Sequence, residues 1–123
     1  LEVLCAATYT VRADSDRMGC RLSGPALAHT AAAEILSQGM TVGAVQVPAS
    51  GQPIVMLADC PTTGGYPILA AVTGASLPLL AQCAAALGQV RFRAVSVEQA
   101  QARWRALLAG LKNGVEEPEE SEL

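Results

Sequence analysis

Aromatic side chains are almost missing from this 123-residue sequence: one Trp, two Tyr and one Phe, 3% of the chain. Single-stranded nucleic-acid binding draws on stacking platforms, so that function is poorly served here. Histidine occurs once, at His29, and no two of the four cysteines (Cys5, Cys20, Cys60, Cys83) stand in a C-x-x-C spacing. A zinc centre is therefore not expected, and no metal ligands are assigned. Charge is sparse through the middle: between Arg21 and Arg91 only Glu34 and Asp59 are formally charged, and Cys60–Val90 carries no charge. That stretch is still no membrane span. Pro61, Gly64, Gly65, Pro67, Gly74 and Pro78 break it well short of the ~20 apolar residues a crossing helix needs. No basic-then-apolar leader opens the chain. The expectation is a cytoplasmic protein without membrane or nucleic-acid partners, its cysteines reduced and mostly buried. A first residue that is Leu rather than Met is expected of a fragment or a processed product.

What is present is aliphatic. Apolar residues make up 51% of the chain, so Ala, Val and Leu must fill the interior. The length suits one domain able to bury a core without metal or disulfide staples. Net charge is −3, but five of the eleven acids are Glu116, Glu117, Glu119, Glu120 and Glu122; without them the balance is +2. Residues 115–123 read as an acidic disordered tail and residues 1–114 as the folded domain.

Strand patterns recur at short intervals. Leu1–Arg12 alternates and ends in the β-forming run TYTVR; Cys20–Leu22, Tyr66–Thr73 and Gln89–Ala94 follow as short strands. Thr41–Val47 and Pro53–Ala58 are nearly continuous apolar runs, expected to be buried on both faces and joined by a hairpin through VPASGQP. Glu34–Ser37 is a short strand or a helical turn ended by Gln38-Gly39. Ser76–Leu87 reads as a helix, with Ser76 as cap, Pro78 in the first turn and Gly88 as stop. The last helix has a capping-box pattern, Ser96 with Gln99, and an apolar stripe through Val97, Ala100, Trp104, Leu107, Leu108 and Leu111, ended by Asn113-Gly114. Trp104 is expected to anchor it on the sheet. The pattern is mainly β: a barrel or rolled sheet closed by two helices, including a C-terminal amphipathic one.

Two clusters carry candidate chemistry. In SDRMGCRLSGP, Arg17 and Arg21 suit bidentate recognition of carboxylate or phosphate, and Asp16 is placed to orient one of them; a solvated turn with a local ion pair is the plainer reading. In SGQPIVMLADCPTTGGYP, small and hydroxylic residues flank an apolar strand, as if the strand held two loops facing one site. Gly64 and Gly65 let backbone N–H groups approach a ligand, while Ser50, Thr62 and Thr63 add hydroxyls. Gln46 and Gln52 bring amides able to read a urea-like or lactam group, and Gln46, in an otherwise apolar strand, needs a partner if buried. Turn formation alone also explains these residues. Asp59 closes the strand as a loop cap or as a base or orienter. Cys60 with His29 as base would make a nucleophile pair, but Cys60 reads as a structural thiol and His29 as a surface residue.

Four stretches in order, SDRMGCRLSGP, EILSQGMTVGAVQVP, SGQPIVMLADCPTTGGYP and VRFRAVSVEQAQ, resemble the C-terminal half of the allophanate hydrolase subunit 2 family. That family overlaps the C subunits of 5-oxoprolinases, the antagonists of the sporulation kinase inhibitor, and part of the carboxyltransferase region of urea carboxylases. The resemblance spans roughly Tyr9 to Gln101. It implies a cyclophilin-like β-barrel, a subunit 1 partner, and an N-terminal half of its own subunit outside this sequence. It implies site membership for Asp16–Gly19, Gln46–Pro48, Gly51–Pro53 and Thr62–Pro67, Tyr66 included. Pro61 departs from the family's usual Gln, and Cys83–Leu87 is apolar where a charged turn is expected.

The expected function is therefore a domain of an ATP-dependent amide or lactam hydrolase complex, inactive as this fragment alone. Arg17, Asp59, Gly64 and Gly65 would be catalytic. Asp16, Arg21, Gln46, Ser50, Gln52, Thr62, Thr63 and Tyr66 would bind a small amide or lactam substrate. No Walker-type loop or biotin-acceptor motif is present, so ATP, and biotin where used, are expected from elsewhere in the complex. The alternative implied by the resemblance is a regulatory module that antagonises a histidine-kinase inhibitor through the subunit 1 partner. A prolyl isomerase is disfavoured, because one Phe offers no aromatic cluster for proline.

Overall fold

The computed structural model describes residues 1–31 and 35–114; Glu34 and the expected acidic tail lie outside the described residues. The elements are α1 (Glu2–Ala6), β1 (Thr8–Val11), β2 (Gly19–Ser23), β3 (Gln38–Gly39), β4 (Ala44–Gln46), β5 (Ile54–Met56), β6 (Thr63–Gly64), β7 (Ile68–Ala71), α2 (Leu77–Ala85), β8 (Gln89–Arg91) and α3 (Val97–Gly114). Six strands form one antiparallel sheet in the order β7-β4-β5-β2-β1-β8, and β3 pairs with β6 in a separate ribbon. The sheet curls into a half-barrel. The mainly β expectation holds, with three helices among the described residues rather than two.

The extra helix corrects the reading of Leu1–Arg12 as one strand. Glu, Leu and Ala favour helix in the first turns, and the β-branched and aromatic residues gather only from Thr8 onward. Leu4 is the residue α1 buries, and it joins the main core. Gln38-Gly39 also differs from expectation: it is itself a strand, in register with Gly64 and Thr63.

Pairing register sorts the central side chains into two faces. Cys20, Val55 and Val45 lie opposite one another across β2, β5 and β4, and all three belong to the main core with Tyr9, Val11 and Leu22. Arg21, Ile54 and Gln46 form the adjacent row. Directly paired residues share a face and successive residues alternate, so this row points the opposite way. Tyr9 is fully buried; its hydroxyl donates to the Pro25 carbonyl at 3.1 Å and its ring meets Phe92 edge-on, centroids 6.3 Å apart. Burying a phenol costs little when the O–H finds such an acceptor.

The β4–β5 hairpin turns at Gly51, whose φ of 74° favours glycine. A Cβ there would also lie 2.8 Å from the Leu27 carbonyl oxygen. Helix α2 receives no side-chain cap from Ser76; the Thr73 hydroxyl instead donates to Ser76 Oγ at 3.1 Å. It ends in a Schellman pattern, Gly88 N–H to Cys83 O and Leu87 N–H to Ala84 O. The left-handed residue is Leu87, at φ 52°, one position before the glycine expected to stop the helix.

Helix α3 forms its capping box, with Ser96 N–H on Gln99 Oε1 at 3.0 Å and Gln99 N–H on Ser96 Oγ at 3.1 Å. Yet it buries no residue. Trp104 remains 45% exposed, and its ring lies beside Gly74 in the turn before α2. All four cysteines are free thiols; Cys20 alone is fully buried, where most are expected to be.

Candidate functional site

The face opposite the core carries an open groove of about 360 Å³. Its floor is Ile54 and Met56 of β5, with Gly19 and Arg21 of β2 on one side and Gln46 of β4 on the other. The loop before β5 supplies Ser50 and Gln52, and the segment after it supplies Pro61 and Tyr66. The two flanks of the apolar strand thus meet on one groove.

Gln46 is the distinctive group. It is 6% exposed, in a strand otherwise apolar. Its side-chain amide has no hydrogen-bond partner among the described residues, and it lines the groove. No described side-chain polar atom is both fully sealed and unpartnered, so the amide's remaining exposure is its opening onto that groove. A β-bulge sits beside it: Val45 pairs with Ala70 but Gln46 with Ile68, so β7 carries one extra residue. Gly64 closes over it, since a Cβ there would fall 2.6 Å from Gln46 Nε2 and clash with the Met40 methyl. Neither Gly64 nor Gly65 has positive φ. The absent side chain at Gly64 therefore serves close approach, not an unusual backbone.

The expected site residues divide into three groups. Asp16, Arg21, Gln46, Ser50, Gln52 and Tyr66 line the groove. Several of these are already engaged: Asp16 Oδ1 accepts from the N–H groups of Met18 and Gly19, and Ser50 Oγ from Gln52 N–H. The Gln52 amide clamps Gly24 on both sides, accepting from its N–H at 2.9 Å and donating to its carbonyl at 3.0 Å. Arg17 and Asp59 pair with each other, Nε to Oδ2 at 3.1 Å, and neither lines the groove, although Met18 beside Arg17 does. Their loops are zipped by Asp59 N–H to Arg17 O and Leu57 N–H to Met18 O. Asp59, not Asp16, is thus the carboxylate that orients Arg17, although Arg17 stays 91% exposed. Thr62, Thr63, Gly64 and Gly65 lie on or beside the β3–β6 ribbon, behind Gln46, and do not line the groove.

Arg21 has no ion pair among the described residues. Arg12, also at the groove, is held bidentately by Asp14 at 3.0 and 2.8 Å. His29 is half-buried where a surface position is expected, with Nε2 2.8 Å from the Val47 carbonyl. Only a donor can face that oxygen, so the proton is on Nε2. Nothing pairs it with Cys60, which packs beside Ala44, Ile54 and Met56. Sequence reasoning missed the floor residues Ile54 and Met56. The apolar run is visible in the sequence, but which of its members face the groove depends on register with β2 and β4.

A curled, mainly β sheet bearing a polar groove on its outer face defines the class: the chain belongs to the carboxyltransferase domain family, subdomains A and B, whose model matches residues 1–94. Within it, the chain is 47% identical over 93 residues to the 5-oxoprolinase C subunit of Haemophilus influenzae and 45% identical to that of Escherichia coli. Each match covers 75% of this chain and 29% of the relative, so the chain spans under a third of those proteins. The solved structure of TTHA0988 is 39% identical, with a TM-score of 0.66 over 76% of this chain and 18% of that one. The urea amidolyase of K. lactis shares the fold, with a TM-score of 0.78 at 22% identity over 91% of this chain and 7% of that one.

Proposed function

We propose that this chain is the groove-bearing part of a subunit in an ATP-dependent amide or lactam hydrolase of the 5-oxoprolinase type. What carries the reading is the 47% identity with the C subunit of a 5-oxoprolinase. In this reading the groove holds the amide or lactam. A subunit 1 partner, together with the rest of the polypeptide to which this domain belongs, completes the site in the cytoplasm. ATP bound elsewhere in the complex supplies the driving force for opening the amide. Arg17, oriented by Asp59 and next in sequence to the groove residue Met18, is the cation toward which developing negative charge would be drawn. Backbone N–H groups near Gly64 and Gly65 are the second candidate source of that stabilisation.

The test is ATP-dependent release of glutamate from 5-oxoproline by the full-length subunit with its partner subunits. Arg17→Gln is expected to lower turnover by roughly a hundredfold or more, the usual scale for one lost charge-stabilising donor. Unchanged turnover in that variant would remove Arg17 from the site. Tight partner binding without turnover would favour the regulatory alternative.

A further inference from the structure

We infer that the row Arg21–Ile54–Gln46 is a subsite for a small anionic carboxamide, its carboxylate on Arg21 and its amide or lactam on Gln46. The inference rests on the proposal that this groove is the substrate site, and goes further by stating which groups of the ligand are read, and by what.

The groove holds many polar side chains, but most are committed. Arg12 is tied to Asp14, Asp16 to two backbone N–H groups, and Gln52 to Gly24. Three groups show no side-chain partner among the described residues, the Arg21 guanidinium, the Gln46 amide and the Tyr66 hydroxyl, and of these only Gln46 is buried. The Gln46 amide, 6% exposed and without a partner among the described residues, is reached only through the groove, where a ligand amide can take the place of water. A primary amide presents both N–H and C=O, which match the C=O and N–H of a lactam in two antiparallel hydrogen bonds. Gly64 lets the backbone back the Gln46 amide closely, because no side chain intervenes.

Register sets the spacing. Arg21 pairs with Ile54 and Ile54 with Gln46, so the Cα atoms of Arg21 and Gln46 are two strand spacings apart, roughly 10 Å. Both side chains rise from one face and are long enough to lean toward each other over Ile54, which is 9% exposed. The order amide, apolar floor, cation fits a molecule of the order lactam, methylenes, carboxylate. A neutral urea-type ligand would make no use of the exposed Arg21 charge, and a plain carboxylic acid would shut the Gln46 amide off from water without giving it a partner.

The assembled complex is titrated calorimetrically with three probes: 5-oxoproline, 2-pyrrolidinone (lactam without carboxylate) and cyclopentanecarboxylate (carboxylate without lactam). 5-Oxoproline is expected to bind at least about tenfold tighter than the other two. Arg21→Gln should erase its advantage over 2-pyrrolidinone, with Arg21→Lys restoring part of it. Gln46→Leu should erase its advantage over cyclopentanecarboxylate while leaving thermal stability undiminished, which separates ligand contact from a structural role. Equal affinities for the three probes, no binding of any, or a selectivity untouched by both variants overturns the subsite. Turnover is read separately. A complex that does not hydrolyse 5-oxoproline yet shows both selectivity losses refutes the functional proposal and keeps the subsite. A complex that turns over with KM unchanged in both variants does the reverse.

Discussion

The same three strands, β2, β5 and β4, present two unlike faces. On one, Cys20, Val55 and Val45 are 0–1% exposed and sealed into the main core with Tyr9 and Leu22. On the other, the adjacent row sets Arg21 and Gln46 on either side of Ile54, beside a groove. Both rows are held by the same ladder, so local backbone geometry does not distinguish them. The difference lies in what lies over each: α1, α2 and their neighbours cover the first face, whereas short loops and the β3–β6 ribbon border the second. One face is built for stability. The second tolerates an amide without a partner among the described residues because it opens on solvent.

The sharpest way to break this contrast is on the core side. Tyr9→Ala removes a fully buried ring and its bond to Pro25, and should cost about 3–5 kcal/mol, read as a lowered urea midpoint. A second difference is pH-dependent. Burial, with Cys83 adding and the Ser15 hydrogen bond opposing, pushes the Cys20 thiol from 9.0 up to about 11. The unfolded thiol ionises first, so the stability it contributes is present below about pH 9 and lost as pH rises to about 11, on the order of 2 kcal/mol. Urea midpoints in reducing buffer should fall across that window and flatten in Cys20→Ala. Burial raises Tyr9 as well, so a residual slope above about pH 10 belongs to the phenol. The smallest effect is on the groove side. Gln46→Leu should change stability by no more than about 1 kcal/mol, in the stabilising direction, since it replaces an amide without a partner among the described residues in an apolar strand. A large loss there would mean that the two faces are not different in kind.

Sequence signals that act locally translate directly into structure. The Ser96–Gln99 box, the hairpin through VPASGQP and the buried runs around Val45 and Val55 all have their counterparts in the fold. Two local expectations fail because a competing preference wins: helix-forming residues before Thr8 make α1, and Leu87 takes the left-handed position expected of Gly88. Helix α3 shows a different limit. Its apolar stripe is plain, but periodicity reports a face and not what covers it, and Val97, Trp104, Leu108 and Leu111 stay 40–67% exposed. The candidate site is legible as residue types and not as partnerships. Gln46 stands out by being polar in an apolar run. That Asp59 reaches Arg17, that Gln52 is engaged by Gly24, and that Arg21 lies two strands from Gln46 are facts of long-range register.

That register has a bearing on which sequence changes the fold can accept. The step between Val45 and Gln46, or between Val55 and Ile54, is the step between core and groove. Adding or deleting one residue within the paired strands would turn Arg21 or Gln46 inward and a valine outward. A length change is therefore accommodated in the connecting loops or at a bulge such as the one between β4 and β7, and the turn at Gly51 and the close approach at Gly64 narrow the choice further. The groove row and the core row hang on one ladder, so a register change in one is a register change in the other.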